Sequence, residues 1–137
     1  MRIIGVDHGD RCIGLSVSDP LGLTAQPLGA ERVTDRAGEV QAVVRAAARM
    51  EAGKVVVGLP RSLRGDLGPR AQIVLSYVDD LRSALAIPVE TWDERLSTRE
   101  ADRALAAAGV KPSRRKEKID TICAQIILQS YLDAHRS

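Results

Sequence analysis

The sequence is nearly devoid of aromatic side chains, which make up 2% of its 137 residues and include no Phe. A buried core must therefore consist mainly of aliphatic residues, and a hydrophobic content of 45% is enough to form one. The shortage also argues against single-strand nucleic-acid binding by base stacking, because stacking needs aromatic surfaces. The length predicts a single domain over residues 1–137.

Cysteine is equally scarce, since Cys12 and Cys123 are the only two and no C-x-x-C or His-rich segment accompanies them. This pattern argues against a zinc site and is typical of a reducing compartment, where isolated thiols behave as small apolar residues. No signal peptide is visible after Met1, and no apolar run approaches the roughly 20 residues of a membrane span. We therefore expect a cytoplasmic protein with no membrane partner.

Hydrophobic patterning predicts an α/β order. A buried strand over 2–7 and an alternating strand over 12–19 flank the short loop HGDR, which indicates an antiparallel hairpin, and 24–33 predict a weaker third strand. Two further strands are predicted at 54–59 and 88–93, and helices at 34–51, 69–85, 97–108 and 117–135. We expect a mixed five-stranded sheet, with three antiparallel strands followed by parallel βαβ units and helices on both faces.

Acidic residues stand where the predicted elements meet one edge of the sheet. Asp7 ends the first strand, Asp93 and Glu94 end the last, and Asp120 lies at the rim of the final helix's apolar stripe. Each alone is commonly a turn former, a cap or an exposed side chain. Together they could hold divalent Mg²⁺ or Mn²⁺, which prefer oxygen ligands and can catalyse phosphodiester hydrolysis as a pair. Strand alternation lets only one of Asp93 and Glu94 face Asp7.

Basic residues lie in loops predicted near these acids, where they could hold a phosphate backbone. The net charge is only +2, and any single basic residue is more commonly an ordinary solvated charge. Small residues on one face of the second strand, among them Gly14 and Ser16, are predicted to leave room beside Asp7. The candidates for nucleic-acid binding are Arg11, Arg61, Arg64, Arg95, Arg114, Arg115 and Lys116.

Three segments resemble the YqgF family, also called RuvX, of Holliday-junction-resolvase-like proteins with a ribonuclease H-like fold. They are GVDHGDRCIGLSVSD (5–19), VVVGLPRSLRGDLGPRA (55–71), and WDERLSTREADRAL (92–105) with KEKIDTICAQIILQSYL (116–132). The resemblance implies a nuclease whose catalytic and metal-binding acids are Asp7, Glu94 and Asp120. It implies that Asp7 bridges two Mg²⁺ or Mn²⁺ ions, weakly held without substrate, while Glu94 and Asp120 bind one each.

The same resemblance implies hydrolysis of RNA in 5′-end processing of precursor 16S ribosomal RNA, as part of ribosome biogenesis. The sequence departs from the family pattern at Cys12, where a basic residue is frequent. It also departs at Cys123, where resolvases of this fold carry a second acid one turn after Asp120. A further departure is the sequence GLP at the end of the central parallel strand, where resolvases carry an acid.

Other functions stay open at this point. One is a Holliday-junction-type, structure-selective DNA endonuclease, and another is a non-catalytic RNA-binding module in ribosome assembly. A nucleotide-binding phosphotransferase would need a second Asp-x-Gly hairpin and an adenosine loop, for which 137 residues leave no room. The expected partner is nucleic acid, either precursor ribosomal RNA or branched or single-stranded DNA, and the expected state is a monomer or weak homodimer.

Overall fold

The computed structural model describes residues 1–61, 66–94, 103 and 105–135, with residues 113–117 described through their backbone alone. The elements follow the predicted order closely. The helix predicted over 97–108 falls largely outside the described residues, but 105–107 are helical and Gly109 follows them with a φ of 82°. The elements are β1 (Arg2–His8), β2 (Cys12–Ser18), β3 (Ala25–Arg32), α1 (Arg36–Arg49), β4 (Ala52–Pro60), α2 (Pro69–Ala84), β5 (Val89–Glu94) and α3 (Pro112–Ala134).

The strands form one mixed sheet in the order β3-β2-β1-β4-β5. β2 pairs antiparallel with β1 and β3, whereas β1–β4 and β4–β5 are parallel. This confirms the predicted five-stranded mixed sheet. Because β1, β4 and β5 run in the same direction, their carboxyl ends meet at one edge, which brings the end of β1 near Glu94 at the end of β5.

Helices α1 and α2 cover one face of the sheet. Asp35 caps α1, since its Oδ1 accepts a hydrogen bond of 2.7 Å from the Gly38 N–H. Buried aliphatic side chains of β1, β2, β4 and β5 pack against these helices in the larger of two cores, and the partly buried Leu28 of β3 packs against it as well. Ile73 is 44% exposed, because Ala71 rather than Ile73 belongs to the buried stripe of α2.

Helix α3 covers the other face and lies almost directly on the strand backbones. A Cβ at Gly5 would come within 2.7 Å of the Leu128 Cβ, and one at Gly14 would overlap the carbonyl oxygen of Asp120. Ser16 Oγ also donates a 2.8 Å hydrogen bond to the Ala124 carbonyl. The predicted room on this face of β2 is therefore filled by α3.

Helix α3 begins earlier than predicted. The expected start was 117, after a basic loop, but the helix starts at Pro112, whose missing N–H and fixed φ suit a first helical position. Arg114, Arg115 and Lys116 consequently lie in the first turns of α3 rather than in a loop. No helix in the described part of the chain is long and apolar enough to cross a membrane.

Candidate active site

A cavity of about 250 Å³ opens at the carboxyl ends of the parallel strands. It brings together the three predicted acids, Asp7 from β1, Glu94 from β5 and Asp120 from α3. The full lining consists of Asp7, His8, Gly9, Asp10, Arg70, Glu94, Ile119, Asp120 and Cys123.

Asp7 lies deeper in the protein than Asp120. Its pKa is raised well above the ordinary 3.8, first by burial and then by the neighbouring charges of Glu94 and Asp120. The adjacent carboxyl group of Asp120 raises the pKa of Asp7 further, and burial raises the pKa of Asp120 as well. Two carboxyl groups this close cannot both ionise freely, so the pair titrates above its usual range.

The structure distinguishes Glu94 from Asp93. Glu94 lines the cavity, and its Oε2 would lie 3.2 Å from a Cβ at Gly58, so the glycine leaves space for this carboxylate. Asp93 does not line the cavity, is 57% exposed, and forms a 2.8 Å ion pair with Arg61 Nε. Of the two acids, Glu94 is therefore the one that faces Asp7.

The predicted basic residues are only partly visible. Arg11 is exposed in the turn after β1, and Arg61 lies at the end of β4 with its guanidinium on Asp93. Neither lines the cavity. The other predicted positions fall outside what the structure describes: Arg64 and Arg95 entirely, and Arg114, Arg115 and Lys116 in their side chains.

Arg70 is a cavity residue that sequence reasoning missed. It lies in the first turn of α2, and its Nη1 forms a 3.2 Å ion pair with Asp10 Oδ1. Its Nη2 donates to the carbonyl oxygen of His8 and lies 3.0 Å from His8 Nδ1. Its positive charge lowers the pKa of both Asp7 and Asp120, against the larger effect of burial. The motif GPRA contains Arg70, but no periodic signal sets it apart from other arginines.

His8 was also missed, and it links Arg70 to the helix layer. His8 Nε2 lies 2.8 Å from Glu39 Oε2, and Glu39 Oε1 accepts a 2.9 Å bond from Arg36. Burial lowers the pKa of His8 below its ordinary 6.5. Since a carboxylate only accepts and a guanidinium only donates, neutral His8 carries its proton on Nε2 and offers the Nδ1 lone pair to Arg70.

The donor chemistry of the cavity fits a hard divalent cation. Its three acids offer the oxygen ligands that Mg²⁺ and Mn²⁺ prefer, and their crowded negative charge favours a bound cation. In this conformation, no three His, Cys, Asp or Glu side chains of the described residues are arranged to hold a metal ion. The types of side chain therefore fit Mg²⁺ or Mn²⁺, but in their present positions they do not coordinate one ion together.

Solved structures with this architecture define the class. RuvC of T. thermophilus in complex with a Holliday junction has a TM-score of 0.57 at 22% identity and covers 98% of this chain and 95% of its own. The Fowlpox virus resolvase in complex with Holliday junction DNA has a TM-score of 0.60 at 14% identity, with full coverage of both chains. Together with the sheet order, this confirms the predicted ribonuclease H-like fold.

Sequence relationships are more specific than the fold. Residues 1–134 match the family described as "RuvX: Holliday junction resolvase", and the chain belongs to this family. A Myxococcus xanthus protein named "Putative pre-16S rRNA nuclease" is 46% identical over 136 residues, 99% of this chain and 90% of that protein. A Halothermothrix orenii protein of the same name is 44% identical over 135 residues, 97% of this chain and 95% of that protein.

Proposed function

We propose that this protein is a metal-dependent nuclease that hydrolyses phosphodiester bonds of RNA in the 5′-end processing of precursor 16S ribosomal RNA. The observation that carries the proposal is the convergence of Asp7, Glu94 and Asp120 in one cavity at the carboxyl edge of the sheet. The names of the relatives support the choice of precursor ribosomal RNA as substrate.

Asp7, Glu94 and Asp120 would hold Mg²⁺ or Mn²⁺, two ions in all. When bound, such ions supply an activated water and stabilise the leaving oxygen of the phosphodiester. Because the pKa of Asp7 is raised, protons compete with the cation for its carboxylate, and the carboxylates must turn toward one point to hold an ion. We therefore expect metal affinity to rise as the pH increases.

Basic residues around the cavity would hold the RNA backbone over these acids. Arg61 would exchange its ion pair with Asp93 for a phosphate, which costs little because Asp93 is more than half exposed. The surface proposed for this contact comprises Arg11, Arg61, Arg64, Arg95, Arg114, Arg115 and Lys116.

The proposal is tested by incubating the purified protein with precursor 16S ribosomal RNA, unstructured single-stranded RNA and a four-way DNA junction, each with Mg²⁺, Mn²⁺ or EDTA. We expect cleavage of the precursor in either metal and none in EDTA. Asp7→Asn and Glu94→Gln should reduce it at least 10²-fold, the scale of losing one transition-state interaction. Asp93→Asn is the matched control and should cleave normally. Undiminished cleavage by Asp7→Asn would exclude the proposed site.

The family's description as a Holliday junction resolvase favours a structure-selective DNA endonuclease as the second candidate. The same assay separates the two, because this alternative predicts paired cuts in the four-way junction and an intact precursor. Binding of RNA without cleavage of any substrate would instead support the non-catalytic assembly module.

A further inference from the structure

We propose that Arg70 is a catalytic residue that contacts a non-bridging oxygen of the scissile phosphate, and that His8 with Glu39 positions its guanidinium. The inference rests on the proposed nuclease function and adds to it a residue outside the acid set and outside the proposed basic surface. It starts from the placement of Arg70, whose side chain lines the same cavity as the three acids.

Some N–H donors of the Arg70 guanidinium have hydrogen-bond acceptors in the protein, and others can donate to a ligand. Nη2 is used on His8, and one Nη1 hydrogen is used on Asp10. The described residues provide no hydrogen-bond acceptor for Nε, and the side chain is 37% exposed, so ligand can reach it. The ion pair with Asp10 is weak, because Asp10 is 92% exposed and its charge is screened by water. A phosphate oxygen can therefore replace Asp10 at little cost while His8 keeps hold of Nη2.

An anchor is needed because the cavity itself would capture the guanidinium. An arginine beside Asp7 and Asp120 gains Coulomb energy by pairing with them, which would neutralise the acids and remove the positive charge from the substrate's path. Within the described residues, the ion pair of Arg70 is with Asp10 and not with Asp7 or Asp120. His8 supplies the competing contacts, through its carbonyl oxygen and Nδ1.

The contact through Nδ1 exists only while this nitrogen accepts a hydrogen bond, and Glu39 enforces that state. The carboxylate of Glu39 accepts a hydrogen bond from the Nε2–H of His8 and is itself fixed by Arg36, while its carbonyl oxygen accepts a 2.6 Å bond from the Tyr77 hydroxyl. A fixed acceptor restricts the rotation of Arg70 and presents its remaining donors to the cavity. Preorganised donors of this kind stabilise charge that develops in a transition state.

The first test compares Arg70→Met with Arg49→Met, which removes an exposed arginine near the end of α1. At saturating RNA and Mg²⁺, Arg70→Met should lower kcat about 10²- to 10³-fold, whereas Arg49→Met should leave it unchanged. Arg70→Lys should recover only part of the rate, because an ammonium lacks the planar fork. Unchanged kcat and KM in Arg70→Met would overturn the proposal.

A binding measurement keeps the inference separate from the proposed function. In an Asp7→Asn background, the affinity for a fluorescent single-stranded RNA is measured by anisotropy over a range of salt concentrations. Arg70→Met should reduce the slope of log K against log salt by about 0.7, the value for one phosphate contact. If the unaltered protein cleaves no RNA, the nuclease function fails, and this slope still decides whether Arg70 contacts phosphate. An unchanged slope would overturn the contact.

The positioning role is tested with two matched substitutions of His8. His8→Asn places a carbonyl oxygen near Nδ1 and can still accept from Arg70, whereas His8→Gln reaches toward Glu39 and loses that acceptor. We expect His8→Asn to retain most cleavage and His8→Gln to lose part of it, because only the carbonyl oxygen of residue 8 then holds Arg70. In an Arg70→Met background, His8→Gln should cause little further loss. Equal activity of the two His8 variants, both folded by circular dichroism, would contradict the positioning role.

Discussion

Asp7 stabilises the metal-free fold only while it holds a proton, because its pKa in the folded protein lies well above the ordinary 3.8. Below that ordinary value, the folded and unfolded states are both protonated and this contribution is fully present. As the pH rises, Asp7 ionises first in the unfolded chain. The contribution then decreases steadily, and it is fully lost once the pH exceeds the pKa of Asp7 in the folded protein. Once the pH exceeds the pKa of Asp7 in the folded protein, the ionised carboxylate therefore destabilises the protein when no cation is bound.

Asp7→Asn should consequently stabilise the protein in EDTA. We expect the free energy of unfolding at pH 7 to rise by about 1 kcal/mol, the scale of substitutions that relieve an active-site charge. The difference between the variant and the unaltered protein should shrink as the pH is lowered toward 4. Urea denaturation at several pH values measures it, and a gap that does not change with pH would show that ionisation of Asp7 is not the cause.

Addition of Mg²⁺ provides the complementary measurement. A cation that binds only the folded state raises the melting temperature by mass action, so the unaltered protein should shift upward while Asp7→Asn shifts little. Asp93→Asn serves as the control and should shift like the unaltered protein, because Asp93 does not line the cavity. Equal shifts in all three proteins would point to a cation site elsewhere.

Single residues differ in how well the sequence predicts their positions. Asp7 was predictable because strand ends in parallel βαβ units share one edge, and Asp120 because helical periodicity placed it at the rim of an apolar stripe. The same argument left Asp93 and Glu94 as alternatives, and the choice of Glu94 came from the family resemblance. Arg70 and His8 were not predictable, since the contact between them depends on how α2 docks against the end of β1. That docking is set by packing across 62 positions of the chain and leaves no mark in local sequence.

At the scale of elements, the seating of α3 on β1 and β2 determines where Asp120 stands. The helix approaches closely because Gly5 and Gly14 carry no side chain, and Ser16 fixes its rotation through the Ala124 carbonyl. The strands were predicted well because alternation and β-branched runs are local signals. The close approach was not, because a glycine in a strand fits a bulge or a tight bend as well as a nearby backbone.

Gly14→Ala should disturb this seating. Its Cβ would collide with the Asp120 backbone, and we expect a loss of about 3 kcal/mol in the free energy of unfolding together with reduced cleavage, since α3 must move. Gly68→Ala is the control, because a Cβ there meets nothing within 4 Å. Chemical denaturation and the cleavage assay measure both variants, and a neutral Gly14→Ala would show that α3 is free to shift.

A stability loss of a different origin is expected at α1. Asp35→Ala removes the N-cap hydrogen bond to Gly38 and should cost about 1 kcal/mol. Cleavage should be unchanged at temperatures where the variant is folded, because the capping bond lies on exposed surface. A large loss of cleavage in Asp35→Ala would mean that activity depends on the overall stability of the protein. Reduced cleavage by Gly14→Ala could then not be attributed to the position of α3.

At the scale of the whole molecule, charge is unevenly arranged although its total is small. Acidic groups meet in one cavity, while the proposed basic surface is spread over the β1–β2 turn, the end of β4 and the first turns of α3. The fold class and the layer order were predictable, because the order of strands and helices restricts the topology strongly. The start of α3 was not, because a basic run after a proline is compatible with either a loop or a first helical turn.

Arg114→Ala combined with Arg115→Ala should weaken RNA binding and lower the salt slope by about 1.4, the sum of two single-strand phosphate contacts. Arg45→Ala combined with Arg49→Ala removes the same charge from α1, on the face of the sheet opposite α3, and serves as the control. Anisotropy titrations measure both pairs. A slope change that is equal in the two double variants would assign the effect to net charge alone.

The position of Cys123 affects how readily the thiol in the cavity reacts with oxidants and alkylating agents. Its thiol lines the cavity, and burial together with the surrounding carboxylates raises its pKa to about 12. Oxidants and alkylating agents attack the thiolate, which is almost absent at neutral pH under these conditions. Burial first, and the three acids around it second, therefore keep this thiol in its less reactive protonated form, so we expect Cys123 to react slowly with oxidants.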